Sequence, residues 1–120
     1  MTILMTARLW TQQYEWAAHY PLAIKAGLKQ EAADAIAAGR RPAGMSDDED
    51  MVWDFNTELL TNKNVSDATY TRILNKFGEQ GVIDLTGVSA YYQNLAMIMT
   101  VARTPRQTET SSPALMPYTK

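Results

Sequence analysis

Residues 13–27, "QYEWAAHYPLAIKAG", decide how this chain folds. Apolar side chains recur there at three- and four-residue spacing and never alternate with period two, which is the pattern of a helix and not of a strand. Trp16, Tyr20, Ala23, Ile24, Tyr14 and Ala17 cover most of the faces, leaving Gln13 and Lys25 for water. A helix apolar nearly all round belongs in an interior. At about 100° per residue, Gln12, Glu15 and His19 share one face, flanked by Leu22 and Ala26. An acid and the chain's single histidine therefore stand one turn apart. Burial raises a lone carboxyl's pKa and lowers a lone imidazole's, while their proximity favours the ion pair, so together they can hold a proton poised near neutrality. The same spacing also fits a satisfied polar pair with a purely structural role.

The helical period continues outward from this stretch. It predicts helices over residues 2–11 and 12–26, either one broken helix or two in succession, with Pro21 as a kink and Gly27 as the stop. A third covers 29–38 and closes at Gly39. Ser46, with Glu49 three residues on and Asp47, Asp48 and Asp50 around it, caps a helix reaching about Lys63. Ser66 or Asp67 caps a short helix ending near Phe77 and Gly78, and a long apolar helix follows from about Glu79 to Ala102. The expectation is an all-α bundle of about six helices over residues 1–103. The polar tail 104–120, with Pro105, Pro113 and Pro117 and no helical period, reads as an arm or a disordered segment. No internal repeat is present.

Composition narrows the functional classes. In 120 residues, 46% hydrophobic content and 20% charge suit one small soluble domain. A net charge of −2, with no cluster of Lys/Arg among aromatics, gives no field for nucleic acid. The longest apolar run, 95–102, is far short of a bilayer span, and no leader-like N-terminus is visible, so the expected location is cytoplasmic, off the membrane. The absence of cysteine excludes disulfides, thiolate nucleophiles, iron–sulfur clusters and Cys-ligated zinc. A lone histidine without Glu-x-x-His spacing gives no metal site, and no cofactor motif appears. The acidic "SDDED" lacks the glycine and terminal Glu of a calcium loop, and there is no phosphate-cradling glycine loop or nucleophile elbow. Met97, Met99, Tyr91 and Tyr92 read as core or interface.

Two longer stretches carry a resemblance. "ILMTARLWTQQYEWAAHYPLAIKAGL" and "RILNKFGEQGVIDLTGVSAYYQNLAMIM", with the "YEWxxH" run, "VSDATY" and "FGEQGVIDLTGVSAYY" as the specific pieces, resemble the carboxymuconolactone decarboxylase family from about Ile3 to Pro105. That family shares its helical fold with alkyl hydroperoxide reductase D-type proteins. The resemblance implies an AhpD-like all-α fold built on a two-helix hairpin and assembled into homo-oligomers, trimers or hexamers. Three departures qualify it. The peroxidase branch uses Cys-x-x-Cys before its His, and alignment on His19 puts Gln12 and Glu15 there, which cannot do thiol redox chemistry. The family's acidic residue just before the segment matching Ile3 and Leu4 is missing, so the expectation is a member with a short N-terminus. Thr100 stands where related sequences carry Asn.

What the resemblance then implies is a cofactor-independent lyase acting on a small unsaturated lactone or carboxylic acid of aromatic-compound degradation. Loss of CO₂ leaves a dienolate, which needs donors for its charge and an acid to protonate carbon. His19 would be that acid and Glu15 would orient the imidazole and stabilise its charged form. Gln12 could donate a hydrogen bond, and Arg8, one turn earlier, could attract a substrate carboxylate; Arg8 equally fits a surface or inter-subunit ion pair. The alternative is a non-catalytic oligomeric scaffold or binding protein, and a peroxidase role is disfavoured by the missing cysteines. Residues 79–102 and the Trp10 to Tyr20 region are the expected subunit contacts.

Overall fold

A tight reversal at Thr11 sets the topology of the computed structural model, which describes residues 1–117. Helix α1 (Thr2–Trp10) ends there because Thr11 takes the left-handed conformation (φ 47°, ψ 41°), letting the Gln12 N–H reach back to the Ala7 carbonyl at 2.8 Å. Helix α2 (Gln13–Lys25) then packs back on α1, its first turn capped by the Gln12 side chain, whose Oε1 accepts from the Tyr14 N–H at 2.8 Å. Two consecutive helices, not one broken one, therefore occupy this region.

Helix α2 runs unbroken through Pro21, where the sequence predicts a kink. Proline has no N–H for the carbonyl four residues back, that of Ala17. The Thr110 hydroxyl donates to this carbonyl instead, at 2.9 Å. The helix stops as its sequence predicts: Gly27 at φ 103° lets its own N–H bond the Ile24 carbonyl and the Leu28 N–H bond that of Ala23, both at 3.0 Å.

Helix α3 (Gln30–Ala37) and helix α4 (Asp47–Thr57) follow. Ser46 and Glu49 form the expected reciprocal cap, the Ser46 Oγ accepting from the Glu49 N–H at 3.2 Å and Glu49 Oε2 from the Ser46 N–H at 2.9 Å. The last turn before Lys63 is π-helical (Glu58–Asn62), a widening that periodicity alone does not signal. Lys63, left-handed at φ 57°, closes it by donating Nζ to the Leu60 carbonyl. Glu58 accepts from Thr69 Oγ1 at 2.6 Å and from the Ser66 N–H at 2.6 Å, bonds that hold its carboxyl below the usual range.

The final helical run, Asp67–Val101, starts at the Ser66 cap and is broken once, at Gly78 (φ 72°, ψ 179°), a conformation open essentially to glycine alone. We label its two parts α5 (67–77) and α6 (79–101). With these, the described residues are all helical apart from turns, loops and the C-terminal segment, and none forms a strand. No helix among them is long and apolar enough to cross a membrane.

α1 lies at the centre, packed against α2, α3, α4 and the last helical run. One apolar cluster joins Leu4, Ala7, Trp16, Tyr20 and Ile36 of the first three helices; a second joins Met51, Phe55 and Ile73 of α4 and α5. A buried polar seam links α4 with α1 and α6: the Asn56 amide donates to Thr2 Oγ1 at 2.8 Å, and its oxygen accepts from Ser89 Oγ at 2.7 Å. Outside, Arg41 and Arg72 each fork across Asp50 and Asp54, fastening the loop before α4 and α5 to α4. Residues 104–117 run as an irregular arm over α1 and α2, with Leu115 inserted in the first cluster. The last three residues of the tail lie outside the described residues.

Candidate functional site

The inward stripe of α6 decides what faces the α2 acid. Ser89, Tyr92, Gln93, Ala96 and, at an exposed position, Thr100 recur at helical spacing on one side of the helix: Ser89 meets Asn56, and Gln93 Oε1 accepts from Trp10 Nε1 at 2.8 Å. Tyr92 meets the His19 ring edge-on, with centroids 5.1 Å apart at 82°, and Thr100 Oγ1 is 3.4 Å from Gln12 Nε2. Gln12 and His19, which bracket Glu15 on one face of α2, both reach α6.

Glu15 is 1% exposed, and neither carboxyl oxygen has a hydrogen-bond partner among the described residues. Desolvation pushes its pKa from the ordinary 4.5 to about 7. His19 is half-buried, with Nδ1 2.9 Å from the backbone carbonyl of Glu15. A carbonyl only accepts, so Nδ1 carries a proton and, in the neutral ring, Nε2 keeps its lone pair. This corrects the expected pairing: the Glu15 backbone, not its carboxylate, orients the imidazole, because the i to i+4 spacing also places the helix carbonyl within reach of the ring. Glu15 is left as a carboxyl held neutral or charged by its surroundings alone.

Gln12 uses one amide atom as the α2 cap and the other toward Thr100. Arg8 is not at the surface. It is 3% exposed, and its guanidinium donates to the Ala37 carbonyl at 3.2 Å, the Met116 carbonyl at 2.6 Å and Thr11 Oγ1 at 2.7 Å. These bonds tie α3 and the arm to α1.

Two clefts form elsewhere. One of about 140 Å³ lies between α1, α3 and α4 and is lined by Met5, Arg8, Ile36, Trp53 and Asn56; the other, of about 290 Å³, lies beside the Gly78 break against Phe77, Gly81 and Leu85. Neither is lined by Glu15 or His19. Beside these residues lies an aromatic chain: His19 abuts Tyr92, which meets Tyr91 edge-on at 5.2 Å, and Tyr91 is 57% exposed. Sequence reasoning assigned both tyrosines to core or interface. The signal that relates Tyr92 to the site is its place with Ala96 and Thr100 on an i, i+4, i+8 line.

No family model, curated protein or solved structure matches this chain. The site is therefore read from its own chemistry. Among the described residues, no three His, Cys, Asp or Glu side chains gather as a metal would require. What the arrangement offers is proton handling: a buried carboxyl that titrates near neutrality, an imidazole of fixed tautomer one turn away, and the two hydroxyl-bearing residues Tyr92 and Thr100 on the facing helix.

Proposed function

We propose that this chain is a cofactor-independent lyase of carboxymuconolactone decarboxylase type, acting on a small unsaturated lactone or carboxylic acid through Glu15 and His19. The observation that carries this reading is the buried Glu15 carboxyl with no partner among the described residues. Such a group lowers stability at neutral pH, and a fold that retains one does so with most reason where a proton is to be moved. When CO₂ leaves an unsaturated acid, the pair of electrons stays behind as an extended enolate, and carbon must then be protonated. His19 suits that step. Its Nδ1–H stays anchored on the Glu15 carbonyl while Nε2 takes up and gives the proton. Gln12 retains an amide N–H for developing negative charge. Arg8, whose guanidinium holds the arm and α3, is given no role in this reading.

The same proposal includes assembly into a homo-oligomer, a trimer or hexamer, that completes the substrate pocket at a subunit boundary. Its support is the outer face of α6, where Ile83 (65% exposed), Tyr91, Met97, Ile98 and Val101 (86%) leave apolar surface uncovered. Trp16, Ala17 and Tyr20, also expected at subunit contacts, are covered within the chain, so the boundary is assigned to α6 and to the exposed Leu22. That the two clefts described above lie away from His19 favours a second reading, a non-catalytic oligomeric scaffold.

Turnover of carboxymuconolactone and related unsaturated acids by wild type and by His19→Gln separates the two. The lyase reading expects the folded variant to lose activity by about two to four orders of magnitude and its pH profile to lose a limb. Undiminished turnover by folded His19→Gln refutes the assignment. No turnover by either protein, with the variant altered only in stability, favours the scaffold.

A further inference from the structure

The C-terminal arm is bound as a peptide ligand would be bound. Gln13 pairs its side-chain amide with the backbone of Leu115 in both directions, Oε1 accepting from the Leu115 N–H at 2.9 Å and Nε2 donating to the Leu115 carbonyl at 2.6 Å. Trp16 Nε1 donates to the Pro113 carbonyl at 3.0 Å, and Arg8 to that of Met116. In return Thr110 fills the Ala17 carbonyl that Pro21 leaves open. The seat thus reads arm backbone, the Thr110 hydroxyl and the Leu115 side chain, which is 3% exposed within the first core cluster. Recognition of this kind depends on the conformation of the incoming segment and not on which copy of the chain supplies it.

The arm is also built to move as a unit. Arg106 donates to the Ser112 carbonyl and Oγ and to the Gln107 carbonyl, and Thr110 Oγ1 bonds Ser112, so 106–112 forms a hook held by its own bonds. Between the cap bond from the Thr104 N–H to the Met99 carbonyl and the contact of Thr110, the side-chain bonds of the described residues stay within the arm. The junction to α6 is a left-handed Arg103 (φ 53°) followed by Pro105, both exposed. Just before that hinge, Met97, Ile98 and Val101 are 51%, 55% and 86% exposed, an apolar surface at the point from which a crossing arm would leave.

We infer that the α1–α2 seat is an arm-exchange site, in which the C-terminal arm of a second copy of this chain takes the same register that its own arm occupies. This rests on the oligomer proposed above and adds what links its copies: the crossing arm brings its parent chain against the Met97–Val101 surface.

The cysteine-free chain permits a direct test. Ser111, which is exposed, is replaced by Cys and given a nitroxide; this chain is mixed in equal amounts with isotope-labelled wild type. Exchange predicts loss of the wild-type amide signals of Gln13, Trp16 and Ala17, and recovery of those signals when the nitroxide chain also carries Leu115→Asp, which unseats the arm. Signals intact in the mixture, yet lost when label and isotope share one chain, mean that the arm seats within its own copy and overturn the inference. Loss that persists with Leu115→Asp reflects mere proximity and overturns it as well. Should Leu115→Asp fail to fold, Gln13→Ala in the isotope-labelled chain serves as the unseating change. Sedimentation of the same mixture keeps the readings apart: an oligomer without exchange removes only this inference, whereas a monomer removes the oligomer too.

Discussion

Glu15→Gln isolates the energetic consequence of the buried acid. The wild-type carboxyl is 1% exposed, without a partner, and raised from 4.5 to about 7 by desolvation. At about 1.36 kcal/mol per pH unit, that gap corresponds to roughly 3 kcal/mol of folding free energy. The direction follows from which state holds the proton. Below the unfolded value of 4.5 both states are protonated and the group has no effect. As pH rises, the unfolded chain ionises first, so the folded state loses ground until pH passes the folded value of about 7, after which the loss is constant. Glutamine keeps the shape and cannot ionise. Urea denaturation of both proteins across this window should show the wild type falling behind Glu15→Gln by roughly 3 kcal/mol between mildly acidic and mildly alkaline pH, with the two nearly equal at the acid end. Taking the difference cancels every other titrating group. Parallel stability curves would mean that the carboxyl is solvated or partnered in solution, and the argument from burial would fail. Paired with the turnover assay, the same variant is expected to be more stable than wild type above neutrality and, on the proposed lyase reading, inactive.

Two glycines of α6 should respond oppositely to alanine. At Gly81 a Cβ would collide with that of Phe77, so Gly81→Ala is expected to lower stability by about 1–3 kcal/mol, whereas Gly87 has open space and Gly87→Ala should raise it by about 0.5–1 kcal/mol; thermal or urea unfolding reads both. Asn56→Ala strands the hydroxyls of Thr2 and Ser89 in the buried seam and opens a cavity, with an expected loss of about 2–4 kcal/mol in urea denaturation; a loss below about 0.5 kcal/mol, the range of ordinary surface substitutions, would show that the seam does not hold α1, α4 and α6 together. Metal-free protein should consume no hydroperoxide above the no-enzyme rate with a dithiol reductant, since the chain has no thiol to cycle, and turnover above that rate would refute this.

The sequence by itself determined what is local. Three- and four-residue spacing sufficed for the helices, Ser46 and Glu49 for a reciprocal cap, Gly27 for a stop, Gly78 for the break in the last helix, and Gln12, Glu15 and His19 for a shared face, because each depends on backbone geometry within a few residues. Tertiary structure decided what those groups meet. That Glu15 has no partner, that Tyr92 and Thr100 face its neighbours, that Arg8 serves the arm and α3, and that Thr110 makes good the bond lost at Pro21 are contacts between residues that are mostly tens of positions apart. Periodicity states which side of a helix is buried; only the packed chain states against what, and for a carboxyl or a guanidinium the identity of that neighbour sets both its proton affinity and its role.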